Sequence, residues 1–180
     1  PLIYLNMVGA QDDQVFDGGT FALNRGGSLA IKLPLFEEAL EHIVLEETDI
    51  GWNIIKGELA KVPCDKELDY HAMVMGLRDY CKKSGFEKVV LGLSGGIDSA
   101  LVAVIASDAI GSANVRSIML PSPYTSQTSL IDATDLVENL GCKSDTLPIN
   151  DSLTAIDKTL SSTFEGRKID LTEENIQSRL

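Results

Sequence analysis

The spacing of apolar residues changes character partway along the chain. Over residues 1–33 it falls into short β-type runs, LIYLNMV, TFALN and SLAIKL, separated by DGG at 17–19 and NRGG at 24–27. Short apolar runs between glycine-rich turns predict hairpins or a meander. LPLFEEALEHIVLEETD follows, acidic with interleaved apolar residues, and its glutamate pairs at 37–38 and 46–47 read as a solvated face. Residues 51–66 are mixed and read as a connector. From Leu68 the pattern becomes a regular alternation of helix and strand. ELDYHAMVMGLRDYCKKSG puts Val74, Leu77 and Cys81 at helical spacing beside Met73 and Tyr80, with basic residues in its last turn and Gly85 as C-cap. KVVLGL is too short and too β-branched for a helix and predicts a buried strand. DSALVAVIASDAIG predicts a helix closed by Gly111, and VRSIML the next strand. TSQTSLIDATDLVENLG predicts a helix that starts on capping hydroxyls, carries Leu130, Ala133, Val137 and Leu140 on one stripe, and stops at Gly141. SDTLPI predicts a third strand, NDSLTAIDKTL a helix capped by Asn150 or Asp151, and LTEENIQSRL the start of another. This order predicts an α/β fold whose parallel sheet carries helices on its faces. Ligands of such sheets lie beyond the C-terminal ends of the strands.

Length and charge narrow the picture. The 180 residues suffice for one modest domain or parts of two. A net charge of −12 argues against nonspecific nucleic-acid binding, which needs a basic surface. It leaves room for an anionic small molecule in a local pocket. No run reaches the ~18 apolar residues of a membrane span. No signal peptide is visible, so the expected location is the cytoplasm. Cys64, Cys81 and Cys142 are far apart and odd in number, which argues against a disulfide framework or a zinc site. They read as small buried or half-buried apolar residues. His42 and His71 are isolated and read as structural or surface residues. Trp52 and Tyr124 read as packing residues, although the PYTS stretch also makes Tyr124 a candidate for lining a nucleotide pocket. The strand-like opening PLIYLNMVG, with no initiator Met, and the helix-start composition of the close suggest an internal piece of a longer chain, to which any function would belong.

One turn carries the candidate chemistry. LGLSGGIDSA joins the predicted strand at 88–93 to the predicted helix that follows. A helix N-terminus presents unpaired N–H groups and about half a positive charge, so it is an anion site before any side chain is considered. Gly95 and Gly96 let the backbone turn its N–H groups inward and remove Cβ atoms that would hold phosphate oxygens away. Ser94 and Ser99 offer hydroxyl donors. Asp98 repels a bare phosphate, but its carboxylate suits a bridging Mg²⁺. Other phosphate loops fail by letter: no Lys or Arg lies between Lys88 and Arg116, so a Walker A loop is excluded. The G-x-G-x-x-G spacing of a dinucleotide fingerprint is absent.

At these residues the sequence resembles the ATP pyrophosphatases, which adenylate a substrate and release pyrophosphate. Close variants of the loop occur in GMP synthetases, asparagine synthetases and tRNA-thiolating enzymes, so the loop indicates a chemistry class and not a substrate. MLPSPYTSQTSLIDATDLVENLG at 119–141 and LTEENIQSRL at 171–180 are similar to segments of NAD synthetases. NMVGAQDDQVFDGGTFAL at 6–23 is similar to the late part of the nitrilase-type glutaminase domain of the glutamine-dependent members, with Ala10 replacing a glycine and Thr20 a serine of the usual pattern. The resemblance implies the C-terminal part of a nitrilase-like α/β domain at 1–50, a connector at 51–66, and the N-terminal part of an adenine-nucleotide-hydrolase-like ATP pyrophosphatase domain at 67–180.

It also implies a reaction: ATP-dependent amidation of nicotinic acid adenine dinucleotide, with ammonia or glutamine as nitrogen source, ATP and Mg²⁺ as cofactors, and a homo-oligomeric enzyme. Gly92, Leu93, Ser94, Gly95, Gly96, Ile97, Asp98, Ser99 and Leu120 would bind ATP, Asp98 the metal, and Asn175 the dinucleotide. The glutaminase Glu, Lys and Cys of that family precede the FDGG turn. All three cysteines here follow it, and the turn itself reads as structural. The family's T-G-N-K-S-E segment and second metal-binding carboxylate lie beyond residue 180, so the piece alone is expected to be inactive. Two other readings stay open: another adenylating amidotransferase or thiolase with the same loop, and a non-catalytic ATP-binding module.

Overall fold

The computed structural model describes residues 1–55, 57–123, 125–166, 171–177 and 179. They divide into two compact units, Pro1–Phe86 and Glu87–Leu180. In the first, β1 (Leu2–Tyr4), β4 (Phe21–Leu23) and β5 (Leu29–Lys32) form an antiparallel sheet in the order β1-β4-β5, while β2 (Val8–Gln11) and β3 (Gln14–Asp17) form a hairpin. Ala22, Ala30, Ile31 and Ile54 are its buried core, with Leu33 and Ile43 packed against them. Of the expected hairpins or meander, the structure has hairpins, β2–β3 and β4–β5, with β1 paired to β4, cut more finely than the apolar runs. LIYLNMV breaks between β1 and β2, and an unforeseen turn falls at Asp12 and Asp13. Asp12 takes φ +52°, a conformation its short polar side chain tolerates without glycine. The FDGG turn is closely packed. A Cβ on Gly18 would lie 2.4 Å from Val8 Cγ2, and one on Gly19 2.4 Å from Leu35 Cδ2. Asn6 Nδ2 donates to Asp17 Oδ1 and to the Gly18 carbonyl, both at 3.0 Å.

A second hairpin, β6 (Leu45–Thr48) and β7 (Gly51–Ile54), occupies the acidic stretch and the start of the expected connector. Every β6 residue is exposed, as a solvated face requires, whereas Gly51–Ile54 is strand. Trp52, expected to pack, is 55% exposed on β7. Cys64, expected to be at least half-buried, is exposed, while Cys81 is buried and Cys142 half-buried. Helix α1 (Asp65–Ser84) buries Met75 and Cys81. Val74 and Leu77 are only half-buried, and Met73 and Tyr80 are exposed, so the buried stripe is shifted from the one expected. The shift follows the packing partner, since α1 lies on β2 and β3. Gly85, in the left-handed region at φ +74°, closes the helix, and the Phe86 N–H reaches the Cys81 carbonyl at 2.8 Å.

The second unit alternates β8 (Val89–Gly92), α2 (Ile97–Ile110), β9 (Val115–Met119), α3 (Gln127–Leu140), β10 (Lys143–Thr146), α4 (Asn150–Leu160) and α5 (Leu171–Gln177). The strands are parallel in the order β10-β9-β8. Their C-terminal ends therefore lie at one edge of the sheet, where α2 and α3 begin. Leu93, Ala103, Met119, Ala133 and Val137 form the core. The Ser126 hydroxyl caps α3 by accepting from the Ser129 N–H at 3.0 Å, and Gly141 ends it at φ +69°. The third strand is displaced from SDTLPI to Lys143–Thr146, because Pro148 has no N–H to continue a ladder. The expected cap of α4 is also corrected. Ile149 precedes the helix with no side-chain cap, its N–H bonded instead to the Pro121 carbonyl at 3.3 Å, and Asn150 is already helical. Arg116 and Asp145 tie β9 to β10 by two hydrogen bonds, one from Nη2 to Oδ1 at 2.8 Å. This pairing raises the Arg116 pKa and lowers that of Asp145. No described helix is long and apolar enough to cross a membrane.

Ser117, in the middle of β9, is 1% exposed, and its Oγ has no hydrogen-bond partner among the described residues. An orphaned buried hydroxyl is costly. Ser117→Ala is therefore expected to stabilise the second unit by about 1 kcal/mol in chemical denaturation. A loss of stability would mean the hydroxyl has a partner.

Candidate ATP-binding site

The turn between β8 and α2 is exposed at Ser94, Gly96, Ile97 and Asp98. Two hydroxyls brace it. The Ser94 N–H donates to Ser99 Oγ at 3.2 Å and the Gly96 N–H to Ser94 Oγ at 3.2 Å. The two hydroxyl oxygens lie 2.9 Å apart, and Ser99 Oγ donates to the Gly96 carbonyl at 3.0 Å. Each hydroxyl proton is thus satisfied within the turn, and serving a phosphate would require it to rotate. The N–H groups of Gly95, Ile97, Asp98 and Ser99 have no partner among the described residues. Gly96 supplies no side-chain cap to α2, so the helix start keeps its donors for an external acceptor.

Gly95 is fixed by sterics. It sits at φ +79°, and a Cβ there would lie 2.2 Å from the Ser129 carbonyl oxygen and 2.7 Å from Ser129 Cα. The turn therefore presses against the backbone of the first turn of α3, and two helix N-termini bring their positive ends near one place. No lysine or arginine supplies charge in the turn, so its electropositive character comes from these dipoles. The Asp98 carboxylate is exposed and has no hydrogen-bond or ion-pair partner among the described residues. Among those residues no group of three or more His, Cys, Asp or Glu is placed to hold a metal ion. A cation at Asp98 would take its remaining ligands from phosphate oxygens and water, a donor set that suits Mg²⁺.

Beside the turn lies a cavity of about 370 Å³, lined mainly by Gly92, Leu93, Ser94, Leu120, Ser129 and Leu130, with the end of β9 and Ile149 completing it. Its walls carry no charged side chain, so they suit a flat neutral ring and not a phosphate. Leu120 is 41% exposed. Its backbone N–H and carbonyl are free among the described residues, whereas the carbonyls of Ile118, Met119 and Pro121 accept from Leu93, Leu147 and Ile149. One unpaired donor and one unpaired acceptor thus lie at the residue that follows the C-terminal end of β9.

Of the residues expected at the site, Gly92, Leu93, Ser94 and Leu120 line the cavity. Gly95, Gly96, Ile97, Asp98 and Ser99 form the turn that follows it. Asn175 is exposed on α5, where its carbonyl accepts from Arg179 Nη1 at 2.7 Å, and it does not line the cavity. Tyr124 lies outside the described residues. Sequence reasoning missed Pro121, Ser129, Leu130 and Ile149, having read Leu130 only as part of the α3 stripe. A usable signal for Ser129 was the parallel alternation itself, which starts α3 at the same sheet edge as the turn. Nothing local marks Ile149.

Residues 69–180 match the family described as NAD synthase. The glutamine-dependent NAD(+) synthetase of Rhodobacter capsulatus is 57% identical over 180 residues, covering 100% of this chain and 33% of that protein. The structure of glutamine-dependent NAD+ synthetase from Acinetobacter baumannii in complex with adenosine diphosphate superposes with a TM-score of 0.91 at 39% identity, over 98% of this chain and 33% of that one. An NH3-dependent NAD synthetase from Campylobacter jejuni superposes with a TM-score of 0.56 at 29% identity, over 65% of this chain and 48% of that one. The chain spans about a third of the length of the glutamine-dependent relatives it matches. The family match runs through β8, the turn, the cavity and α3 without interruption, and on that ground the chain belongs to the NAD synthase family.

Proposed function

We propose that the complete polypeptide converts nicotinic acid adenine dinucleotide to NAD through an acyl adenylate, using ATP. The observation that carries this reading is the exposed turn 94–99, whose free N–H groups stand at two helix N-termini beside an uncharged cavity. The adenine would occupy the cavity against the free backbone groups of Leu120. The triphosphate would lie on the turn, with Asp98 as one ligand of a Mg²⁺ whose charge offsets that of the phosphates. A carboxylate oxygen of the dinucleotide attacks the α-phosphorus, the bond to the bridging oxygen breaks, and pyrophosphate leaves. Ammonia then attacks the acyl carbon, the carbon–oxygen bond to AMP breaks, and a proton is lost. The turn holds a departing anion through fixed dipoles, so no nucleophilic side chain is needed.

The domain reading belongs to the same proposal. Residues 1–50 would form the end of a nitrilase-type glutaminase domain and 67–180 the start of the synthetase domain. Asn175 would contact the dinucleotide, glutamine would supply the ammonia, and the enzyme would be a cytoplasmic homo-oligomer. The similarity of the whole chain to glutamine-dependent enzymes supports this. The test is pyrophosphate release by the complete polypeptide with ATP, Mg²⁺, ammonium and dinucleotide labelled with ¹⁸O in its carboxylate. Release that requires the dinucleotide, with label appearing in AMP, is expected. Release that ignores the dinucleotide, or unlabelled AMP, would contradict the acyl-adenylate route.

A further inference from the structure

The family match starts at residue 69, inside α1, yet α1 docks on a hairpin more than fifty residues upstream of that start. The docking is built around a single residue. Ala10, in β2, is 3% exposed, and side chains of α1 take both of its backbone polar groups. Its N–H donates to Asp79 Oδ2 at 2.8 Å, and its carbonyl accepts from Lys83 Nζ, which also donates to Gln11 Oε1 at 3.1 Å. Asp79 and Lys83 are four residues apart and share a helix face. Together they cap the outward edge of β2, the edge that β3 leaves open.

One glycine favours the approach, Gly9, which takes φ +135°. A Cβ on Gly9 would lie 3.2 Å from Asp79 Oδ2, whereas one on Gly76 would make an ordinary contact with Val15 Cγ2 at 3.8 Å. The Asp79 side chain is 15% exposed and also accepts from Arg78 Nε at 3.2 Å. Burial pushes its carboxyl pKa up, but the Ala10 N–H, Arg78 and Lys83 together hold it below the ordinary value, which keeps it ionised. From the end of α1 only residues 85–88 lead to β8, whose far end opens into the turn 94–99. The hairpin side of the clamp lies outside the family match. The NH3-dependent neighbour likewise covers only 65% of this chain, whereas the glutamine-dependent one covers 98%.

We propose that the clamp of Asp79 and Lys83 on Ala10 is the joint that couples glutamine-derived ammonia to amide formation, by holding the upstream hairpin in fixed register with the helix that feeds the ATP-binding half. This rests on the function proposed above. Asp79 and Lys83 are positioning residues that touch neither substrate. Wild type, Lys83→Met, Lys83→Arg and Asp79→Ala forms of the complete polypeptide would be assayed for NAD formation, first with glutamine and then with saturating ammonium, along with glutamate released per NAD. In Lys83→Met and Asp79→Ala, which remove the donor and the acceptor, glutamine-supported synthesis is expected to fall about tenfold while ammonium-supported synthesis stays within twofold. Glutamate per NAD should rise. Lys83→Arg, which keeps a donor, should restore coupling. Equal loss with both nitrogen sources, or no loss with either, overturns the joint. If the wild type makes no NAD from the dinucleotide even with ammonium, the functional reading itself fails.

Discussion

Gly95→Ala is expected to lower pyrophosphate release by the complete polypeptide at least a hundredfold. Two effects combine at this position. An L-residue in the left-handed region costs roughly 1–2 kcal/mol, and Gly95 sits at φ +79°. The larger effect is steric: the new methyl would stand 2.2 Å from the Ser129 carbonyl oxygen and 2.8 Å from its carbonyl carbon. Neither contact is with a flexible side-chain end, so the turn or the start of α3 must move. A displacement of about 1 Å in a group that positions substrate can cost about 10²-fold in rate. Gly96→Ala is the control. Gly96 has φ −85° and its added methyl would meet only Ser94 Oγ, at 3.3 Å, so its thermal unfolding should stay close to wild type. Steady-state pyrophosphate assays and thermal melts of both variants check this. Wild-type activity in Gly95→Ala would mean that the close approach to Ser129 does not matter to the reaction.

Asp98→Asn is expected to abolish turnover while leaving the melting temperature nearly unchanged. The carboxylate makes no hydrogen bond or ion pair among the described residues, so the folded protein loses only a favourable charge in the first turn of α2. In the proposed complex, however, that carboxylate is a ligand of a divalent cation that lies between it and the triphosphate. Asparagine keeps the shape but not the charge, and it is a poor ligand for a hard cation. The Mg²⁺ concentration for half-maximal activity should therefore rise in whatever residual activity remains. An unchanged rate and Mg²⁺ dependence would remove Asp98 from the site.

The second unit was the more legible part of the sequence. Strands β8 and β9 stand out because short apolar runs alternate with helices closed by Gly111 and Gly141, so the position of the turn 94–99 at a strand-to-helix junction followed from pattern alone. The Ser126 cap was legible for the same reason, being local chemistry. Elements set by distant partners were not. The turn at Asp12 and Asp13 carries no glycine, and β6 and β7 are paired mostly by exposed residues whose apolar spacing gives no strand signal. The buried stripe of α1 is decided by the hairpin it meets and not by its own periodicity. The contact of Gly95 with Ser129 joins residues 34 positions apart. The glycine pattern suggested a need for space there but could not say which atoms required it.

The most direct measurement is a crystal structure of the complete polypeptide with a slowly reacting ATP analogue and Mg²⁺. The account predicts phosphate oxygens within hydrogen-bond distance of the free backbone N–H groups among Gly95, Ile97, Asp98 and Ser99, a cation touching Asp98, and the purine against Leu120. A triphosphate bound elsewhere, with this turn left as it is in the free protein, would contradict it.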